Sequence, residues 1–178
     1  MNAFRRALIA APLFFVLGIQ HGRAELSESQ VKAAYVYNFI KFAAWPNALP
    51  NDGSVTLCVL GGDVLGGALS GLDGASANGR VLHVVQRVGV PDRELRSCRV
   101  LFIGSSERAR FVSIIKSLGD APVLTVSDID DFAERGGCIG LRYRDNRIVF
   151  EINLAAVRKA GLRLPGQLLN LASYVFGR

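Results

Sequence analysis

The sequence predicts an α/β fold, a single domain with a mainly parallel β-sheet flanked by helices and an antiparallel hairpin near the C-terminus. Short continuous apolar runs, which are typical of strands buried on both faces, recur along the chain. Segments with helical spacing of apolar residues separate them. A late stretch, CIGLRYRDNRIVFEINL (138–154), instead alternates apolar and polar residues around Asp145-Asn146, which indicates a hairpin.

The first helix is predicted from its cap and its aromatic residues. Ser27 is a suitable N-cap, and Gln30 stands at the reciprocal position of a capping box. The run KAAYVYNFIKFAAWPN (32–47) follows and holds five of the fifteen aromatic residues of the chain. Its apolar stripe predicts a core-packing helix that ends before Pro46, with Tyr37 and Ile40 off the stripe as an edge available to a partner. The stripe comprises Val31, Ala34, Tyr35, Asn38, Phe42 and Trp45.

The remaining elements follow in alternation. Strands are predicted over 55–61, 81–88, 98–104 and 122–128. A helix over 106–118, capped by Ser105 or Ser106, has apolar residues at 111, 114, 115 and 118. Shorter helical segments are predicted over 63–71, 131–137, 154–160 and 165–176.

The N-terminus has the features of a secretory signal peptide. Two arginines precede an apolar run over 7–19, and small residues at Gly22 and Ala24 form a cleavage site. The run is shorter than the roughly 20 residues that span a bilayer, although a retained membrane anchor remains the alternative. We therefore predict a signal peptide over 1–24, cleavage near Ala24, and one exported domain over 25–178.

The charge of the mature chain is modest. The full sequence has 21 basic and 15 acidic residues, for a net charge of +6. Removal of residues 1–24 takes away three arginines and no acid, which leaves +3. The remaining bases form no stripe with interleaved aromatic residues, so a nucleic-acid partner is not expected.

The polar motifs do not assemble into an active site. GGDVLGG (61–67) follows a strand but does not match the G-x-G-x-x-G spacing of a phosphate-binding turn. The acids in SDIDDFAE (127–134) suit the first turn of a helix. His83 is the only histidine of the mature chain and is expected to be buried in a strand. We predict no enzyme, no catalytic residue, no metal and no cofactor.

The cysteines favour a disulfide without fixing it. Cys58 lies in the first strand and Cys98 begins a later one, so two parallel neighbours could bring them together. Two buried thiols remain the alternative. Cys138 is interpreted as a buried free thiol, with an intermolecular bridge as the other possibility.

Several stretches together resemble the YfiR family of periplasmic proteins. The helix ending in Trp-Pro and the F-E-I-N-L block are the most specific. In chain order the matching stretches are KAAYVYNFIKFAAWP (32–46), CVLG (58–61), CRVLFIG (98–104), LTVSD (124–128), FAERGGCIGL (132–141) and FEINLAAVRKAGLRLPGQLLNLA (150–172). The resemblance implies an α/β fold, often as a homodimer, and a Cys58–Cys98 disulfide. Well-studied relatives can have a second cysteine pair, for which this chain has only Cys138.

The resemblance also implies a function. A YfiR-type protein binds the periplasmic sensor domain of an inner-membrane diguanylate cyclase and represses it. An outer-membrane lipoprotein can sequester the repressor, and cyclic di-GMP then rises and favours biofilm formation. The family's partner-binding surface maps here to Ile139, Glu151, Val157 and Arg163. The two charged residues would supply charge complementarity and the two aliphatic residues apolar contact.

Other functions remain open at this point. The protein could regulate a different membrane sensor. It could instead be a periplasmic small-molecule-binding module with a pocket at the C-terminal strand ends, near residues 61–67 and Asp128. A hydrolase is the least supported reading, because no nucleophile and base stand out.

Overall fold

One sheet organises the described part of the chain. A computed structural model describes residues 26–46, 53–62 and 64–178, so the predicted signal peptide lies outside the described residues. Within them, the strand order is β2-β3-β1-β4-β5-β6-β7-β8. The strands are β1 (Ser54–Leu60), β2 (Ser76–Ala77), β3 (Arg80–Arg87), β4 (Val100–Ile103), β5 (Leu124–Ser127), β6 (Ile139–Arg144), β7 (Arg147–Asn153) and β8 (Tyr174–Phe176).

The pairing confirms the predicted fold class. The five central strands β3, β1, β4, β5 and β6 are parallel. β6 and β7 form the antiparallel hairpin, which turns at Asp145 and Asn146. Both turn residues have positive φ, 49° and 61°, as the tightest hairpin turns require. β2 pairs antiparallel with β3 at one edge, and β8 pairs parallel with β7 at the other.

Helices cover the two faces of the sheet. They are α1 (Glu28–Phe42), α2 (Phe111–Leu118), α3 (Leu154–Lys159) and α4 (Gly166–Leu171). On one face, α1 packs Val36, Phe39 and Ile40 into a cluster with side chains of β1, β4, β5, β6 and β7. On the other face, α2 packs Phe111 and Ile114 against Leu101 and Ile103 of β4. We refer to these as the α1 face and the α2 face. Burial on both faces is what makes the central strands continuously apolar.

A disulfide joins Cys58 of β1 to Cys98, just before β4, with the two Cα atoms 5.8 Å apart. Both residues belong to the cluster on the α2 face. The pairing that the resemblance implied is therefore present. Cys138 is a buried free thiol.

The predicted buried stripe of the first helix is wrong. The buried residues are Lys32, Ala33, Val36, Phe39 and Ile40, whereas Ala34, Asn38 and Phe42 of the predicted stripe are exposed. Ile40, expected at a free edge, is only 2% accessible. The helix is apolar on most of its circumference, so residue spacing alone does not fix which side faces the sheet.

Two further expectations hold only in part, and a third is wrong. The 106–118 segment is a 3-10 turn over Ser105–Glu107 followed by the shorter α2, and no serine side chain caps α2. The 165–176 segment ends its helix at Leu171 and continues as the strand β8. His83 lies in β3 but is exposed. Its neighbour Leu82 joins the cluster on the α1 face, whereas no residue of β3 belongs to the cluster on the α2 face, the side to which His83 points.

Among the described residues, no helix combines the length and the apolar character needed to cross a bilayer.

Candidate partner-binding surface

The four residues implied by the resemblance occupy different environments. Ile139 in β6 and Val157 in α3 are both 0% accessible and belong to the cluster on the α1 face. Ile139 pairs with Ile152 in the hairpin. In this conformation neither side chain offers surface to a partner, so both would act on an interface only by supporting the strands and helix above them.

Glu151 is held at the surface of the α2 face. Its neighbours in β7, Phe150 and Ile152, are buried on the α1 face, so Glu151 points to the opposite side by the alternation of a strand. The side chain is 13% accessible, and its Oε2 atom lies 3.8 Å from Nη1 of Arg142. The carboxylate is thus held in place by Arg142 and still reaches solvent.

Arg142 links Glu151 to a second acid. The same Nη1 donates a hydrogen bond of 3.1 Å to Oδ1 of Asp131. This hydrogen bond, together with the negative charges of Glu151 and Asp130, raises the pKa of the Arg142 guanidinium above its ordinary value despite partial burial. The result is a fixed row of alternating charges, formed by Asp131 of the preceding loop and by Arg142 and Glu151 of the hairpin.

Aromatic residues lie beside this row, on the edge strand. Tyr174 of β8 pairs with Glu151, so both side chains project from the same face. Tyr174 is 57% accessible, and its ring contacts that of Phe176 with centroids 4.5 Å apart. Aromatic residues and arginine are enriched in protein interfaces. We call Arg142, Val149, Glu151, Tyr174 and Phe176 the Glu151 surface.

Arg163 belongs to a separate part of the molecule. It is exposed, and its backbone forms an antiparallel bridge with Ala44, with N–O distances of 2.9 and 3.0 Å. A cleft of about 240 Å³ is lined by Ala44, Trp45, Pro46, Gly161 and Arg163. The indole Nε1 of Trp45 donates to the carbonyl of Pro122 at 3.1 Å, which fixes one wall. In the described residues no ion pair joins Arg163 to Glu151.

Sequence reasoning missed the partners of Glu151. Arg142 lies in the basic stretch RYRDNR (142–147), but the sequence does not indicate that it contacts Glu151. The other residues near Glu151, Asp131 and Tyr174, are distant from it in the sequence. The sequence-level signal for Tyr174 was weak because its segment reads as a helix end.

The region that would serve a small-molecule site at the C-terminal strand ends is partly filled by an ion pair. Asp128 follows β5, and its Oδ2 accepts a hydrogen bond of 2.8 Å from Nζ of Lys32. The 61–67 loop is described only in part. Among the residues that the structure does describe, no three His, Cys, Asp or Glu side chains are grouped so as to hold a metal ion.

Comparison with known families decides the assignment. The model of a family described as YfiR/HmsC-like matches residues 29–173, which is most of the chain. The chain belongs to the YfiR/HmsC-like family. This is a family of periplasmic, regulatory and non-enzymatic proteins that act on diguanylate cyclases.

The similarity to solved structures concerns the fold only. The chain is similar to a conserved domain protein from Vibrio cholerae O1 biovar eltor, at 14% identity and a TM-score of 0.58, over 85% of this chain and 61% of that one. It is also similar to an ABC domain from Streptococcus pneumonia, solved in complex with L-Trp, at 13% identity and a TM-score of 0.55. That match covers 81% of this chain and 60% of the other. The chain therefore spans about three fifths of the length of each.

Proposed function

We propose that this protein binds the periplasmic domain of an inner-membrane diguanylate cyclase and holds the cyclase inactive. The observation that carries the proposal is membership of the YfiR/HmsC-like family over residues 29–173. Preferential binding to the inactive conformation of a sensor shifts its equilibrium without chemistry in the binding protein. Cellular cyclic di-GMP would then remain low while the complex persists.

The contact would be made by the Glu151 surface. Its charges are fixed before binding, because Arg142 bonds Asp131 at 3.1 Å and lies 3.8 Å from Glu151. A prepositioned charge loses little side-chain entropy in a complex. Tyr174, 57% accessible, supplies apolar area next to it. Arg163 would add a second contact, while Ile139 and Val157 support the surface from beneath.

Two further partners are proposed from the family resemblance. One is a second copy of the chain, and the other is an outer-membrane lipoprotein that competes with the cyclase. Light scattering on the purified protein tests whether the chain forms a dimer. Co-purification from membranes tests whether it binds an outer-membrane lipoprotein.

The binding test uses a charge reversal with a matched control. Each inner-membrane cyclase of the host that has a periplasmic domain is co-purified with the wild-type protein and with Glu151→Lys. Glu94→Lys makes the same charge change at an exposed residue of the 3-10 turn Asp92–Ser97, away from the Glu151 surface. We expect one cyclase to co-purify with the wild type and with Glu94→Lys. Its binding to Glu151→Lys should be lost or about tenfold weaker. Equal retention by all three proteins would remove Glu151 from the interface.

A further inference from the structure

A groove of about 330 Å³ lies between α2 and α3. Its walls are apolar side chains of the two helices, and Val123, just before β5, lies at its base. Wall residues include Val112 and Ile115 of α2 and Ala156 and Ala160 of α3. A volume of this size is at the lower end of the range for small-molecule sites.

The polar groups at the base of the groove are already bonded within the protein. Thr125 Oγ1 accepts the backbone N–H of Cys138 at 2.9 Å. Asn153 Oδ1 accepts the N–H of Ala156 at 2.9 Å, and its Nδ2 donates to the carbonyl of Ala133 at 2.8 Å. Burial raises the pKa of the Cys138 thiol, which keeps it neutral. The base therefore has no charge and little free hydrogen-bonding capacity, and it suits an apolar group.

The rim has a single sign of charge. Lys116, Arg135 and Lys159 line the groove, and no acidic residue does. Within the described residues, none of the three forms an ion pair. The Arg135 guanidinium lies over the Phe111 ring, 4.6 Å from its centroid. Asp120, the acid nearest in sequence to the rim residue Gly119, pairs instead with Arg96 at 3.5 Å. Three unpaired cations beside a low-dielectric groove favour an anion.

We propose that this groove binds a small amphipathic monoanion, an apolar carboxylate. The apolar part would lie against Val112, Ile115 and Ala156, and the carboxylate would face Lys116, Arg135 and Lys159. Inorganic phosphate fits less well, because it has no apolar part to cover the walls and the base. A neutral apolar molecule fits less well, because it would leave the rim cations unpaired.

The site is independent of the cyclase-binding proposal, although the two surfaces adjoin. Asn153 at the base of the groove and Glu151 lie two residues apart on the same face of β7. Ligand binding is measured without the cyclase, so its failure and the failure of the proposed function are distinguishable.

The first test compares octanoate with 1-octanol by titration calorimetry on the exported protein. The two probes share an alkyl chain and differ in charge. We expect saturable binding of octanoate, and binding of octanol that is at least about tenfold weaker. No saturable binding of octanoate, or equal binding of the two probes, overturns the proposal.

The second test places the site with a matched pair of variants. Lys159→Glu reverses a rim charge, whereas Arg158→Glu makes the same change at the adjacent exposed residue of α3, which does not line the groove. We expect Lys159→Glu to weaken octanoate binding by about tenfold or more and Arg158→Glu to leave it within about twofold. Equal effects of the two variants would show a non-specific charge effect and overturn the site.

A third variant fills the groove without changing charge. Ala156→Met extends a side chain from α3 into the groove, and methionine is a good helix former. Thermal melting first establishes that the variant is folded. A folded variant that binds octanoate as the wild type does would contradict the location.

Discussion

Lys32 is a charged side chain within the buried face of α1. It is only 9% accessible. Its Nζ lies 2.7 Å from Glu28 and 2.8 Å from Asp128. Burial lowers the pKa of this amine, but the hydrogen bonds to Asp128 and Glu28 outweigh burial and raise it on balance. The ion pair therefore fixes α1 to the C-terminal end of β5.

The raised pKa predicts a specific loss of stability at high pH. A group whose pKa is higher in the folded state contributes stability below its unfolded value, 10.5 for lysine, and loses that contribution as the pH rises through the folded value. The free energy of unfolding should thus fall above pH 10.5 more steeply in the wild type than in Lys32→Met. Urea unfolding of both proteins across this range measures the difference, and parallel pH profiles would contradict it.

The disulfide predicts a dependence of stability on redox conditions. The Cys58–Cys98 bridge closes a loop with a sequence separation of 40 residues. Restriction of the unfolded chain by such a loop is worth roughly 4 kcal/mol. Dithiothreitol should lower the melting temperature of the wild type by several degrees. The double variant Cys58→Ser, Cys98→Ser should melt near the reduced wild type and should not respond to dithiothreitol.

A wild-type melting temperature that is the same with and without dithiothreitol, with the bridge shown to be reduced, would contradict this account.

At the scale of elements, local sequence determines where α1 begins, whereas tertiary contacts determine which of its faces is buried. The capping box was predictable, because it depends on residues three apart. Ser27 Oγ accepts the N–H of Gln30 at 3.2 Å, and Gln30 Oε1 accepts the N–H of Ser27 at 2.8 Å. The buried face was not predictable, because it includes the charged Lys32, whose partner Asp128 lies 96 residues away in the sequence.

The cap predicts a measurable contribution to stability. Ser27→Ala should lower the free energy of unfolding by about 1 kcal/mol, because it leaves the N–H of Gln30 without its partner. Ser29→Ala makes the same chemical change inside the first turn and should have little effect. Urea denaturation of the two variants measures the contrast, and equal destabilisation would rule out the capping role.

The edge strand β8 shows where helical patterning misleads. Residues 165–176 contain apolar residues at helical spacing, but α4 ends at Leu171 and Tyr174–Phe176 pair with β7. The aromatic and β-branched composition of Tyr-Val-Phe suits a strand. What determines the outcome is the free edge of β7, which no local pattern reveals.

For the whole molecule, topology assembles the candidate surface from separate segments. The sheet class, the hairpin and the strand assignments of residues 55–61 and 98–104 follow from period and composition, and they were predicted. The row Asp131, Arg142 and Glu151 combines residues of one loop and two strands, and Tyr174 lies beside it because β8 pairs with β7. Ile139 and Val157 were assigned to the partner-binding surface by resemblance, but both are buried in the fold. The sequence alone does not distinguish an exposed matching residue from a buried one.

Repression of a cyclase is a claim about the whole molecule in its cell, and cyclic di-GMP reports it most directly. The gene is deleted in the host and then restored as wild type, Glu94→Lys or Glu151→Lys, with periplasmic protein levels matched by immunoblot. We expect cyclic di-GMP to rise on deletion, to return with the wild type and Glu94→Lys, and to stay high with Glu151→Lys. Cyclic di-GMP that is unchanged by deletion, under conditions in which the protein is present, would contradict the proposed function.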